Sequence, residues 1–426
     1  MTIHQNSKMF KSITGTLLLL SSLTHVSCIT TKSKQTEEAA VPSKYASLPE
    51  PTGHFLIGMK KVYLVDSQRN DPYLEKINKK APRELMVNIY YPVDRTTDKK
   101  EVPYLDDAML KFFQREFKKD GLNPEALNPL NIKTHLKSDA PISRAKHKFP
   151  LIILSPGGGV VPEFYLTLTR ELISHGFVVA SINHTYMSQI AIFPDGSQKK
   201  FMFEEGSELR KMMKTNGEDN QNFLIKNNSD DIAQTLEGLK TVDLSEHIDF
   251  SKVGMLGHSL GGMAITYSCP NTSICRAAVN MDGPLYGGPS GILHAGKLSG
   301  NLNKPFLFLI GKFIAHSIPT KNDPSYKDKE VLEALNKLDP SLSPEEYYEF
   351  VKERREGRIH KAIKLMGKTA KLMVFEDAEH MAFSDWRLIN SYLLKSNEKA
   401  DLVQMMTQLN TIVREFFIKH LHQYSL

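Results

Sequence analysis

The sequence predicts an α/β fold, a mostly parallel central sheet with helices on both faces. Three observations carry this. From residue 83 onward, apolar runs of strand length alternate with longer stretches of helical period. One run, FPLIILSPGGG at 149–159, is continuously apolar up to a glycine cluster, as a central strand buried on both faces is. Finally, Gly257-His258-Ser259-Leu260-Gly261 stands where an apolar run gives way to a helical pattern. A sharp strand-turn-helix strains its central residue and needs small neighbours on either side.

Taken in order, LMVNIYYPV at 85–93 alternates as an outer strand, and GFVVASINH at 176–184 follows the central strand. The elbow is flanked by a strand ending near Leu256 and a helix from Gly261 to Tyr267. AAVNMDG at 277–283, KPFLFLIGK at 304–312 and AKLMVFEDAEH at 370–380 complete the strands. The helix over 401–420 places Leu402, Met405, Met406, Leu409, Ile412, Val413 and Phe416 on one core-packing face. Three segments break the alternation and read as insertions in a single domain over 51–426, near 94–147, 195–229 and 323–368. The first holds DDAMLKFFQREFKK, a helix with Met109, Phe112, Phe113 and Phe117 along one side. It either covers the body or lays those phenylalanines on a lipid interface, with Lys111, Arg115, Lys118 and Lys119 beside phosphates. The second is polar and rich in turn residues. The third reads as helical, with Ser343 as an N-cap and Glu346 three residues on.

The N-terminus reads as an export signal over 1–27: Lys8 and Lys11 precede SITGTLLLLSSL, and Val26-Ser27-Cys28 follows. The apolar run is short for a membrane span. LTHVSC resembles a bacterial lipoprotein processing site, although His25 stands where Leu is usual. Two outcomes stay open, lipidation of Cys28 at the cell envelope and simple secretion. Residues 28–50 are polar, with two prolines and no hydrophobic period, as in a flexible tether. In an exported chain, Cys269 and Cys275 form either a disulfide across a loop or two free buried thiols. The net charge of +6 is spread along the chain without a nucleic-acid motif, and no Cys/His cluster has metal spacing. The pattern calls for no cofactor.

A serine hydroxyl is a weak nucleophile and needs a histidine to take its proton and a carboxylate to hold that histidine. With Ser259 on the elbow, the chain order in such sites is serine, acid, histidine. His380, just past the last strand in FEDAEHMAFSDW, fits that order. Asp282 ends the strand after the elbow helix and turns away at Gly283-Pro284; its rival, Asp323, lies eleven residues beyond its strand in a polar loop. Asp282 is favoured. A developing oxyanion needs fixed amides, one from Leu260 and a second from the loop after the central strand. Pro156 has no N–H, leaving Gly158 or Gly159. A phosphate-binding loop is disfavoured because no lysine follows in register. His184, at a strand end, is either near the pocket or structural.

Together these features resemble the platelet-activating-factor acetylhydrolase family of α/β-hydrolases, the lipoprotein-associated phospholipase type with its bacterial relatives, over roughly residues 51–390. The resemblance rests on PTGHFLIGMKKVYLVD, RELMVNIYYPV, FPLIILSPGGG, RELISHGFVVASINH, GHSLGG and HMAFSDW, with the acid at Asp282. It implies a metal-independent hydrolase of short or oxidised sn-2 acyl chains of phospholipids, or of simpler short-chain esters. Pro-Gly-Gly-Gly replaces the family's usual His-Gly and bulky residue, and the segment 325–368 has no counterpart. A general carboxylesterase or polyester hydrolase on the same scaffold is the alternative. A catalytically inactive envelope lipoprotein is a third, disfavoured by the intact Ser259, Asp282 and His380 set. Oligomeric state is not legible.

Overall fold

The computed structural model describes residues 48–94, 99–119, 121, 123, 132–203, 207–213, 217–284, 304–311, 369–393 and 396–422. The export segment, Cys28, all but the last three tether residues, Asp323 and the insertion expected over 323–368 lie outside the described residues.

The chain opens with an antiparallel pair, β1 (Leu56–Asn70) and β2 (Pro82–Val93). Helix α1 (Asp107–Lys119) and the short β3 (Leu136–Ser138) lead into β4 (Phe149–Ser155). Then come α2 (Leu166–Ser174), β5 (Val178–Asn183), and a small hairpin of β6 (Ile190–Ile192) and β7 (Gln198–Lys200). The 22-residue α3 (Gly217–Gly238) precedes β8 (Ile248–His258), α4 (Leu260–Asn271) and β9 (Cys275–Met281). β10 (Phe306–Gly311), β11 (Ala370–Phe375), α5 (Asp385–Leu393) and α6 (Lys399–Phe417) follow. Nine strands make one sheet in the order β11-β10-β9-β8-β4-β5-β2-β1-β3. From β5 to β11 all neighbours run parallel, and β2 is antiparallel to both β5 and β1.

Strand β4 shows why a continuous apolar run belongs at the centre. Successive side chains point to opposite faces, and both faces are covered. Leu151 and Ile153 pack with Ile232 and Leu236 of α3 and with Ala264 and Ile265 of α4. Ile152 and Leu154 join the opposite core, with Leu172 and Ile173 of α2 and Val413 and Phe417 of α6. The parallel strands end level with one another: Ser155 is in register with Gly257, His258 with Met281, and Gly311 with Phe375. The loops that leave these ends therefore meet at one edge of the sheet, outside the carboxyl ends of the strands.

Several expectations change. Residues 195–229 are not a turn-rich excursion, because α3 begins inside them and lies on the sheet against α4. Its polar side chains are held from a distance: Asp231 accepts from Arg83 of β2 at 2.7 and 3.0 Å and from Arg69 of β1 at 2.6 Å. Arg83 also donates to Asp71 at 2.8 Å and to the Thr185 carbonyl at 3.1 Å, and it is fully buried. A buried charge left unpaired costs several kcal/mol, so this cluster ties β2, α3 and the turn after β5 together. Strand β1, which holds the family-like stretch from Leu56 to Asp66, pairs with β2 from Leu56–Val93 to Asp66–Arg83. The lipid-interface reading of α1 is also withdrawn. Met109, Phe112, Phe113 and Phe117 are all buried. Phe113 packs on Phe164 at 5.2 Å and Phe117 on Trp386 at 5.6 Å, so the helix covers the body.

Beneath that cover, Asp385 at the start of α5 accepts from the Thr167 amide and from the Tyr104 hydroxyl, the latter at 3.1 Å. Burial pushes its carboxyl up to about 6, against those hydrogen bonds, from an ordinary 3.8. The folded protein therefore binds this proton more tightly than the unfolded chain, and the associated stability, present at low pH, is lost as pH rises through about 6. Asp385→Asn, which cannot ionise, is expected to melt several degrees above wild type near pH 8, with the gap closing near pH 4.5. Calorimetry at the two pH values checks this; an equal gap at both would remove the assignment.

Candidate active site

Ser259 stands alone between β8 and α4 with φ 53° and ψ −120°, a region non-glycine residues rarely occupy. Its N–H donates to the Met281 carbonyl at 2.9 Å, and its own carbonyl accepts the Met263 N–H at 3.0 Å, the first bond of the helix. The turn is held shut by close backbone contact. A Cβ at Gly261 would lie 1.9 Å from the Ser155 carbonyl oxygen, and one at Gly257 would lie 2.3 Å from the Gly261 carbonyl oxygen. Both positions have to be glycine for α4 to start this close to β4 and β8.

Asp282 leaves the end of β9, also at positive φ (48°), and is fully buried. Its N–H donates to the Leu309 carbonyl at 2.6 Å, and its Oδ1 accepts the Gly311 N–H at 2.7 Å. Oδ2 lies 2.6 Å from His380 Nδ1. A carboxylate only accepts, so Nδ1 carries the proton, and the neutral ring presents the Nε2 lone pair to the Ser259 hydroxyl at 2.8 Å. Three residues distant in sequence thus form one continuous chain of hydrogen bonds at the carboxyl edge of the sheet.

The loop after β4 carries the second part of the site. Leu260 is the first residue of α4, so its N–H has no intrahelical acceptor. In the loop itself the Gly157 N–H donates to Tyr165 Oη at 3.0 Å, and the Gly159 N–H donates to the Met187 carbonyl at 2.7 Å. Gly159, one of the two oxyanion donors expected from the sequence, is therefore spoken for. Its positive φ (75°) turns its amide toward the segment after β5. The Gly158 N–H donates to no group among the described residues and remains, with Leu260, as the available pair.

One further group escaped sequence reasoning, and one open alternative is decided. His258, the variable residue of the Gly-x-Ser-x-Gly pattern, is fully buried; its Nε2 lies 2.9 Å from the His380 carbonyl oxygen and its Nδ1 2.8 Å from Tyr165 Oη. Burial, with His380 beside it, holds its pKa well below the usual histidine value. His184 resolves to a structural place: its Nε2 is 2.9 Å from Ser155 Oγ and its Nδ1 2.9 Å from Asp231 Oδ2. This second Ser-His-Asp chain is buried throughout, so no substrate reaches it. Burial lowers the His184 pKa, only partly offset by Asp231, while Arg83 and His184 hold Asp231 well below the usual carboxylate range despite its burial. The position of Ser155 at the end of β4 was a visible signal; its partners were not. Cys269 and Cys275 are joined as a disulfide, with Cα atoms 5.3 Å apart, linking the end of α4 to the start of β9.

The chain matches the sequence profile of platelet-activating factor acetylhydrolase, isoform II, over residues 40–397. A probable 1-alkyl-2-acetylglycerophosphocholine esterase of Arthroderma benhamiae is 28% identical over 267 residues, 58% of this chain and 62% of that protein. The platelet-activating factor acetylhydrolase of Cavia porcellus is 26% identical over 169 residues, 36% of this chain and 38% of its own length. The chain thus spans less than two thirds of the length of these curated relatives. Among solved structures, the ferulic acid esterase from Streptomyces cinnamoneus superposes with a TM-score of 0.64 at 20% identity, over 89% of this chain and 94% of that one, and shares its α/β fold. With the profile covering most of its length, the chain belongs to the platelet-activating factor acetylhydrolase isoform II family.

Proposed function

We propose that this protein is a serine ester hydrolase acting on short or oxidised sn-2 acyl chains of phospholipids. The observation that carries the chemistry is the hydrogen-bonded chain Ser259–His380–Asp282; the amides of Leu260 and Gly158, which meet no acceptor among the described residues, are the proposed oxyanion donors. In the proposed cycle, Ser259 Oγ attacks the ester carbonyl carbon as its proton passes to His380 Nε2. Asp282, already bonded to Nδ1, stabilises the imidazolium that forms. The carbonyl oxygen takes up the displaced electron pair as an oxyanion, which the two amides bind. Collapse breaks the ester C–O bond, and the His380 proton goes to the departing alcohol oxygen. Water, deprotonated by His380, then cleaves the acyl-serine and releases the fatty acid. Family membership and the activity named for the Arthroderma benhamiae relative support an acetylated glycerophospholipid as the substrate class.

Ser259→Ala is expected to reduce turnover of an aryl acetate by at least about 10,000-fold with melting temperature retained. Asp282→Asn should cost roughly 1,000- to 10,000-fold, since it favours the wrong imidazole tautomer, whereas Asp323→Asn should leave the rate near wild type. Steady-state kinetics decide this, and equal losses at both aspartates would leave the acid assignment without support. For the substrate class, a series of phosphatidylcholines with lengthening sn-2 chains should show rates falling steeply beyond short acyl groups. Turnover of aryl acetates with no phospholipid cleaved would keep the esterase and remove the phospholipid.

We further propose that the protein works outside the cytosol. The Cys269–Cys275 disulfide supports an oxidising compartment, and the residues before Cys28 support export. If Cys28 is lipidated, wild type should partition into the detergent phase and Cys28→Ser into the aqueous phase. Identical aqueous partitioning of both would favour simple secretion.

A further inference from the structure

The loop that carries His380 leaves the sheet after β11 and returns through the short helical turn His380–Phe383. An imidazole on such a loop holds a 2.8 Å contact with Ser259 only if its backbone is anchored. On the serine-hydrolase reading above, we infer that His258 is a positioning residue that fixes the backbone of His380 to the loop bearing Gly158, through Tyr165.

The hydrogen-bond directions follow from the partners. The His380 carbonyl can only accept, so His258 Nε2 donates to it at 2.9 Å. His258 is buried and neutral, so its Nδ1 accepts, and the Tyr165 hydroxyl donates to it at 2.8 Å. That uses the one phenol proton, and the Tyr165 oxygen is left to accept the Gly157 N–H at 3.0 Å. The resulting order is Gly157 N–H to Tyr165, Tyr165 O–H to His258, His258 N–H to the His380 carbonyl. One end sits a residue before the remaining oxyanion donor, and the other on the backbone of the proposed base. The packing keeps the same partners together. The His258 ring lies 4.8 Å from the His380 ring and 6.1 Å from that of Phe383, while a Cβ at Gly157 would meet His258 Nδ1 at 3.1 Å.

A neutral imidazole suits this link. It supplies one donor and one acceptor on opposite sides of a rigid ring, and it adds no cation beside His380 at the moment that ring becomes an imidazolium. The position before the nucleophile suits the task because it is the last residue of β8 and shares the strand's rigidity. Base and oxyanion amide are thereby held relative to each other as well as to Ser259. A shift of the linked segments would lengthen two catalytic distances together, which acts on turnover more than on substrate binding.

The test uses the full chain with His258→Phe, His258→Gln, Tyr165→Phe and the double variant His258→Phe/Tyr165→Phe. Hydrolysis of 4-nitrophenyl acetate is measured per active site, counted by covalent titration with a fluorophosphonate. His258→Phe keeps the ring packing and loses both bonds; its kcat should fall about 10- to 100-fold with KM within about twofold. Tyr165→Phe should lose roughly 3- to 10-fold. The double variant should be no slower than His258→Phe, since the links act in series. Glutamine offers one N–H and one carbonyl oxygen and should recover most of the rate. Wild-type kcat per titrated site in His258→Phe and Tyr165→Phe, even with lowered melting temperatures, would overturn the inference and leave His258 as packing. If His258→Phe does not fold, wild-type kcat in Tyr165→Phe is sufficient to overturn it. A wild-type protein that neither turns over the ester nor reacts with the fluorophosphonate shows instead that the serine-hydrolase reading has failed, and the inference falls with it.

Discussion

A carboxylate with no exposed surface has to be satisfied by donors the fold brings to it, and that requirement organises the carboxyl edge of this sheet. Asp282 is fully buried and accepts from the Gly311 amide at the end of β10 and from His380 beyond β11. Its own amide closes on Leu309. One residue thus ties β9 and β10 to the loop that carries the imidazole. Because the left-handed backbone at Asp282 follows directly from the end of β9, the carboxylate stands beside Ser259, whose amide bonds to Met281, the residue just before it. The geometry of the candidate site is therefore inherited from strand pairing, with little left for loop packing to decide.

A second buried network acts on the other side of the elbow. Arg83, Asp71, Asp231, His184 and Ser155 link β2, α3, the turn after β5 and the last residue of β4. The arrangement costs desolvation, and its pairs have to be complete to offset that. Its output is local. Ser155 is the residue from which the glycine loop departs, and the turn begun by His184 supplies the Met187 carbonyl that accepts from Gly159. The two networks flank the loop and share no member, so the serine in each has a separate task.

Much of this was legible in the sequence wherever burial was two-sided. Strands β4, β5 and β10 and the second half of β8 are buried on both faces, β9 nearly so, and they read as mainly apolar runs. Ser259 and Asp282 sit at the ends of such runs, while His380 follows the more exposed β11 and is singled out by residue type and chain order. Strand β1 hides because beyond Met59 it alternates exposed and half-buried residues and carries Lys60 and Lys61, a pattern with no core to announce it. Helix α3 hides for the opposite reason. Its Asn227, Asn228, Asp231 and Thr235 are buried, but their composition is that of a loop, and the two arginines that hold Asp231 come from more than a hundred residues away. His258 was in plain view inside the motif, yet its use depends on Tyr165, 93 residues earlier, and no local pattern reports such a pairing.

The glycine loop shows how a single amide becomes distinct among three. An N–H aimed at a developing charge has to be free of protein acceptors in the resting protein and unable to turn away, and these demands conflict in an isolated flexible segment. Here they are met by division of labour. Gly157 and Gly159 surrender their amides to Tyr165 and Met187, which pins the backbone on both sides of Gly158 and leaves its N–H, among the described residues, as the unbonded one of the three. Pro156 costs nothing at the start of the loop, because no N–H is required there. Binding an oxyanion at Gly158 and Leu260 would then require no rearrangement of donors, and the rigidity that makes this so resides in the neighbours, whose own hydrogen bonds never face the substrate.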